Sequence, residues 1–326
     1  MEVLMRTMFQ SLGKNHSMNK LAKKYGLRMG AARFVAGDSI ESAIQTSKEL
    51  NDSGKVVTLD HLGEFVFTEE EARLSTAMCI QTLEAIAKSG VQSNLSLKMT
   101  SLGLDISKEL CMENMRRILH TARVNDIFVR IDMEDYLHCQ ISLDMYKELR
   151  KEFDNVGIVI QAYLYRTEQD MNDLHQYQAN LRLVKGAYKE SPEVSFPEKK
   201  DVDENYKKII KMHLLNGHYT AVASHDEEMI QYTKRLVREN GISNDQFEFQ
   251  MLYGICVELQ DRLVKEGYKV RVYVPYGIDW FGYFMRRLAE RPANVWFVLK
   301  ISLNKFSPRN RKIRHKYPEL RVEFFN

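Results

Sequence analysis

VVTLDHLGEFVFTEEEARLSTAMCIQTLEAIAKSGVQSNLSLKM, residues 56–99, contains the unit that the rest of the chain repeats in outline. It opens on a short β-branched, apolar run, VVTLDHL (56–62), and closes on another, NLSLKM (94–99). Between them TEEEARLSTAMCIQTLEAIAKSG (68–90) has Thr68 in a capping position, acids in its first turn and Gly90 where it stops. Those are helix start and stop signals. Strand, helix, strand in that order implies two parallel strands joined by a crossover helix. Six more strand runs follow: IFVRIDM (127–133), VGIVIQAYL (156–164), LRLVKGAY (181–188), YTAVASH (219–225), FEFQMLYG (247–254) and KVRVYVPYG (269–277). SKELCMENMRRILHTARV (107–124) and DEEMIQYTKRLVREN (226–240) are the clearest helices among them. Eight such units predict an α/β fold of the (β/α)8 barrel type. A doubly wound open sheet is the alternative, because a strand count does not show closure. Against it, no strand runs into a G-x-G-x-x-G turn.

The barrel is expected over residues 55–303, after an N-terminal helical arm (1–54) and before a basic C-terminal tail (304–326). MNKLAKKYG and SIESAIQTSKELNDSG are the helical stretches of the arm, and KFSPRNRKIRHKYPELR carries the basic charge of the tail. The 326 residues are 44% hydrophobic and 28% charged, an ordinary soluble balance. A net charge of +3 gives no field that would draw nucleic acid. Cys79, Cys111, Cys139 and Cys256 are widely separated, so neither a disulfide framework nor a metal-type cysteine pair is expected. That usage suits a reducing cytoplasm. There is no apolar run of ~18 residues that would cross a membrane.

Chemistry in a barrel sits at the carboxyl ends of the strands, and nearly every strand candidate brings a polar group there. Asp60 and His61 end the first, with Glu64 just beyond; Lys98 ends the second; the third carries Arg130, then Asp132, with Glu134 just after. Gln161 and Tyr163 end the fourth, Arg182, Lys185 and Tyr188 lie on the fifth, Ser224, His225 and Asp226 end the sixth, Gln250 is on the seventh, and Tyr273 and Tyr276 are on the eighth. Singly, each has a bland explanation: a snorkelling lysine, a capping aspartate, a satisfied structural histidine. Their recurrence at one end of every strand points to a site. Lys98, Arg182, Lys185, Arg286 and Arg287 form a cation set suited to a phosphate-bearing cofactor and a carboxylate substrate. No His and acid cluster has metal-ligand spacing, so no metal is expected. A lysine on a central strand also permits Schiff-base chemistry, which keeps a barrel lyase open at Lys98 or Lys185.

The stretch YFMRRLAERPANVWF (283–297) sets two arginines side by side in apolar surroundings. A helix capped by Asp279 would run over 280–291 and stop at Pro292. Tyr283 then lies one turn before Arg286 and Arg287, and Glu290 one turn after Arg286. Adjacent helical residues point about 100 degrees apart, so the arginines grip two sides of one small anion only if acids steady them. The helix after the eighth strand would also have to lie over the barrel mouth.

Seven segments in order resemble proline dehydrogenase of the small monofunctional bacterial type: SLKMT (96–100), RIDME (130–134), VIQAYLYRT (159–167), RLVKGAYKE (182–190), ASHD (223–226), VRVYVPYG (270–277) and YFMRRLAERPAN (283–294). The resemblance implies a distorted barrel with its eighth helix above the mouth. It implies FAD-dependent oxidation of L-proline to 1-pyrroline-5-carboxylate, with electrons passed to a membrane quinone. Under it, Arg286, Arg287 and Lys98 bind the substrate carboxylate. Tyr273, Tyr283 and Leu183 enclose the ring. Asp132 organises the site with Arg182, and Glu64 and Glu290 steady the arginine pair. Gln161, Arg182, Lys185, Gly186, Ala187, Tyr188, Ser224 and His225 hold the flavin. The enzyme would be cytoplasmic and peripheral to the inner face of the cell membrane, touching it through the arm or the tail. A separate pyrroline-5-carboxylate dehydrogenase would be a partner. A non-catalytic binding protein that keeps the barrel as a scaffold, able to hold flavin but without turnover, is the alternative beside the lyase.

Overall fold

The computed structural model describes residues 33–63 and 66–290, with the backbone alone over 286–290. The chain divides into two compact units, one of residues 34–278 and one that takes in the two ends of the chain, 1–33 and 279–326.

Eight parallel strands form the sheet of the larger unit: β1 (Val56–His61), β2 (Ser93–Leu97), β3 (Val129–Ile131), β4 (Val156–Gln161), β5 (Leu181–Val184), β6 (Thr220–Ala223), β7 (Phe247–Leu252) and β8 (Val270–Tyr276). Each pairs with the next, and β8 returns to pair with β1, so the sheet is a closed barrel rather than an open doubly wound sheet. The closing register sets Val56 opposite Arg271 and His61 opposite Tyr276. Helices fill the connections: α1 (Ile40–Asp52) before β1, then α2 (Glu69–Ser89), α3 (Lys108–Val124), α4 (Tyr136–Leu149), α5 (Thr167–His175), α6 (Lys199–Leu215), α7 (Glu227–Glu239) and α8 (Val257–Lys265). The helix α1, assigned to the arm in the sequence reading, belongs to the unit that holds the barrel. The helix after β8, α9 (Trp280–Glu290), belongs to the other unit. MNKLAKKYG and the basic tail lie outside the described residues.

Local signals explain the boundaries. Thr68 accepts from Glu71 N, and the Glu71 side chain accepts from Thr68 N in return, a reciprocal cap that starts α2. Gly90 ends α2 at φ 69°, a left-handed conformation that glycine adopts without a Cβ penalty. Ser107 and Asp226 cap α3 and α7 with one-way bonds, accepting from Leu110 N and Glu228 N.

Side chains alternate across each strand, and here the alternation separates two environments. Leu59, Leu97, Val129, Ile158, Phe249 and Val272 are buried in one continuous apolar core with helix residues such as Leu83, Met115, Tyr146, Ile210 and Ile230. Their strand neighbours Asp60, Ser96, Arg130, Asp132, Arg182, Glu248 and Gln250 are buried too, yet polar. The apolar set packs sheet against helices, and the polar set fills the barrel. At the amino ends of the strands a cleft of about 440 Å³ is lined by residues that include Val91, Asn94, Asp126, Lys269 and Arg271. That is the end of a barrel where residues serve stability rather than chemistry.

Candidate active site

Six strands contribute to one hydrogen-bonded cluster at the carboxyl end. Asp132 follows β3, and its backbone N–H is held by Leu97 O at 2.8 Å, which continues the ladder one residue past the strand. Asp132 Oδ1 accepts from Arg182 Nη1 at 2.5 Å and from Ser96 Oγ at 3.1 Å. Arg182 also donates through Nη2 to Ser96 Oγ (3.1 Å) and through Nε to Gln250 Oε1 (2.6 Å). Its guanidinium lies 5.2 Å from the centre of the Tyr273 ring, within cation–π range. The Tyr273 hydroxyl is 2.6 Å from Asp60 Oδ2 and 2.8 Å from Asp132 Oδ2, so its single proton serves two acids. Lys98 Nζ reaches Asp60 Oδ2 at 3.3 Å and Asp132 Oδ2 at 4.0 Å.

Among the described residues, two acids, Asp60 and Asp132, face two cations, Lys98 and Arg182. Burial of unpaired charge would be costly, and this pairing offsets it. Burial raises the Asp60 pKa above the ordinary carboxyl value, with Lys98 opposing the shift. Burial, then Asp132 and Asp60, push the Tyr273 hydroxyl well above its ordinary value, which keeps it a proton donor. Beside the cluster, Glu134 accepts from Thr100 N (3.1 Å) and Thr100 Oγ1 (2.6 Å). Burial outweighs those bonds and raises its pKa.

A second cluster sits where β5 and β6 end. Lys185 Nζ contacts Asp203 at 2.5 Å and Asp226 at 2.7 Å, and Lys199 joins the same two acids. Burial works against ionisation of Asp203 and Asp226, but hydrogen bonds and charge from Lys185 and Lys199 leave both below the ordinary value. Lys98 and Arg182 therefore share one carboxylate, Asp132, while Lys185 is held by a different pair. Both strand lysines are hydrogen-bonded to carboxylates, an arrangement suited to a fixed cation and not to the free amine a Schiff base requires.

The expected cofactor residues line the same end. Gln161 Nε2 donates to Glu134 O at 2.9 Å. Ser224 Oγ accepts from Asp226 N at 3.1 Å. His225 Nε2 accepts from Leu252 N at 2.9 Å, which fixes that nitrogen as the unprotonated one. Gly186 has φ 118°, and a Cβ there would lie 2.2 Å from the Tyr163 ring. Only glycine lets the loop 185–188 lie against Tyr163, and Tyr163 N bonds Lys185 O at 2.8 Å. Ala187 is exposed, Tyr188 half-buried. Two cations, several neutral donors and a loop opened by glycine suit a polar, phosphate-bearing flavin in kind.

Leu183 is fully buried in the core, on the strand face opposite Arg182 by alternation. Tyr283 lies on α9, in the separate unit. The side chains of Arg286, Arg287 and Glu290, and the whole of Glu64, lie outside the described residues. The sequence reading noted Asp60, Gln250 and Asp226 as strand-end polar residues without giving them a role, and did not single out Ser96 or Asp203. A serine or a lone glutamine in a strand carries no signal until register sets it opposite a charged partner.

A parallel (β/α)8 barrel that gathers paired buried charges at its carboxyl end is, by architecture, a barrel enzyme with its site in the usual place for that fold. A family model described as proline dehydrogenase matches residues 43–300. The chain belongs to that family, and proline dehydrogenase activity, the first step of proline catabolism, is what membership supports. "Proline dehydrogenase 2" of Bacillus subtilis (strain 168) is 56% identical over 298 residues, which cover 91% of this chain and 98% of the relative. "Proline dehydrogenase" of Deinococcus radiodurans is 44% identical over 275 residues, 83% of this chain and 89% of the relative. Among solved structures, proline utilization A (PutA) from Bdellovibrio bacteriovorus superposes with a TM-score of 0.75 at 28% identity. That match covers 79% of this chain and 32% of the larger protein.

Proposed function

We propose that the chain oxidises L-proline to 1-pyrroline-5-carboxylate with FAD as the immediate acceptor and a membrane quinone as the final one. The buried network around Asp132 is the observation that carries the reading beyond family membership. It places a cation pair, an acid and an aromatic ring at one point of the barrel mouth. Bound FAD would supply the electron acceptance that no side chain of the chain provides. Arg182, Lys185, Gly186, Ala187, Tyr188, Gln161, Ser224 and His225 are the residues proposed to hold it.

The remaining work falls to binding and orientation. Lys98 offers an ammonium at the mouth for the proline carboxylate, and Arg286 and Arg287 are proposed to complete the grip. That demands that α9 lie across the mouth, with Glu64 and Glu290 steadying the guanidinium groups. Tyr273 and Tyr283 are the proposed wall around the pyrrolidine ring, and Tyr273 has the support of its place beside Asp132; Leu183, which the resemblance also put there, lies in the core on the face opposite Arg182 and would act only from behind the strand. Asp132 and Arg182 fix that tyrosine and each other, so the ring meets a preorganised surface.

No helix of the described residues is long and apolar enough to cross a membrane. Contact with a membrane quinone is therefore proposed to be peripheral, at the inner face of the cell membrane, through the N-terminal arm or the basic tail. The relative in Escherichia coli (strain K12) is named "Bifunctional protein PutA", and this chain matches 26% of its length. A separate pyrroline-5-carboxylate dehydrogenase is the proposed consumer of the product.

The test is anaerobic. The visible spectrum of the purified protein is recorded with FAD, and L-proline is then added. Bleaching of the flavin band with an o-aminobenzaldehyde-reactive product is the expected result. A flavin that stays oxidised would point to another amine or to a silent site, and failure to bind FAD would overturn the reading.

A further inference from the structure

We propose that Gln250 and Glu248 are positioning residues for Arg182, turning its guanidinium so that the fork meets Asp132 and Ser96. The inference rests on the reading of Arg182 as part of the oxidation site. Both residues lie on β7, two apart, and so on one strand face, inside the barrel. Both are buried, Glu248 at 2% exposure and Gln250 at 4%.

The argument is one of donors and acceptors. The amide of Gln250 stands between Arg182, which only donates, and Glu248, which when ionised only accepts. Gln250 Oε1 accepts from Arg182 Nε at 2.6 Å, and Gln250 Nε2 donates to Glu248 Oε1 at 2.5 Å. Flipping the amide would set donor against donor on one side and acceptor against acceptor on the other. The orientation is therefore forced by Glu248. Glu248 is itself pinned from the floor of the barrel: it accepts from Arg271 Nε (2.7 Å) and Nη2 (3.1 Å), and from the Tyr219 hydroxyl (2.9 Å). Arg271 is anchored in turn to Val57 O at 2.7 Å. Burial disfavours the Glu248 carboxylate, but Arg271, Gln250 and Tyr219 lower its pKa to about 2, so it remains an acceptor throughout the neutral range.

The consequence lies at Nε. A guanidinium held only at Nη1 and Nη2 can pivot about the Asp132–Ser96 edge; a third bond at Nε fixes its plane. Arg182 thus reaches the mouth already oriented, through a buried chain that begins among residues with no place in the chemistry.

The test compares wild type, Gln250→Met and Glu248→Gln as FAD-loaded full-length proteins. Solvent exchange of the Arg182 Nε–H is read by NMR after arginine labelling with nitrogen-15, the resonance being assigned by its loss in Arg182→Lys. Turnover of proline with a dye acceptor is read in parallel. Gln250→Met is expected to speed that exchange about tenfold and lower kcat about tenfold, with KM within about twofold, because orientation is lost and not binding. Glu248→Gln, which keeps the volume but frees the amide to flip, is expected to shift both in the same direction by less. Unchanged exchange and unchanged kcat in either folded variant would overturn the proposal. If wild type fails to oxidise proline, the functional reading falls, and the exchange rates still decide whether Gln250 positions Arg182.

Discussion

Asp132 is where the residue scale is decided. One carboxylate receives Arg182, Ser96 and Tyr273 within hydrogen-bond distance and has Lys98 at 4.0 Å. The cations already present there are paired with acids, so tight capture of a substrate carboxylate needs further positive charge. Arg286 and Arg287 are the proposed source. Replacing either with lysine is expected to raise the KM for proline by about tenfold or more while flavin stays bound, because an ammonium lacks the planar fork. Steady-state kinetics with a retained flavin spectrum checks this, and a normal KM in both variants would remove the clamp. The sequence made Asp132, Arg182, Lys98 and Tyr273 visible because charge or a polar aromatic is unusual within a strand run. It left Asp60 as a strand-end acid and Gln250 as an unremarkable amide. Their roles depend on the register β7 shares with β8 and β1 with β8, which no single strand records.

At the scale of elements, helix boundaries follow from local chemistry, and strand boundaries from long-range pairing. The reciprocal cap on α2 predicts that Thr68→Ala costs about 1 kcal/mol. Denaturant unfolding should show a lower midpoint with an unchanged slope, and an unmoved midpoint would deny the cap that role. The helix limits at Ser107, Thr68 and Asp226 were legible because caps lie within a few residues of what they cap. The carboxyl ends of the strands were not. LRLVKGAY reads as a strand through Tyr188, yet β5 stops at Val184. Beyond it Gly186 takes a left-handed φ and the chain turns against Tyr163. That early stop frees the residues that face the mouth. Gly186→Ala is expected to force Tyr163 aside and weaken FAD binding, measured by flavin fluorescence on dilution. Unaltered affinity would mean that the loop has no part in holding the cofactor.

On the scale of the whole molecule, acid stability and barrel closure are set by buried groups and by topology. His213 is 4% exposed, its Nε2 has no hydrogen-bond partner among the described residues, and burial followed by His218 lowers its pKa from 6.5 to about 3. A group depressed in the folded state contributes stability above its unfolded pKa and loses it as pH falls. His213 thus takes stability away progressively as pH drops from 6.5 towards 3. Glu248 has the same sign over a lower window, from 4.5 towards 2. Asp60, raised by burial, has the opposite sign and partly offsets them. His218, lowered from 6.5 by burial and by His175, shares the upper edge of the His213 window, so His213→Gln is expected to shrink the loss of stability below 6.5 without abolishing it, read as the urea midpoint followed downward from neutral pH. A loss as steep as in the wild type would assign it to another group. The barrel itself was legible from the count of alternating units, but its closure was not, since a strand count fits an open sheet equally well. That closure has a consequence during synthesis. The first barrel strand to leave the ribosome, Val56–His61, finds its second neighbour only in Val270–Tyr276. Until that segment emerges, the nascent sheet is an arc with two bare edges, each able to template pairing with another chain. A ribosome that stalls anywhere within the seventh unit would release a sticky open arc, and the cell's safeguard against aggregation is simply to finish the eighth strand.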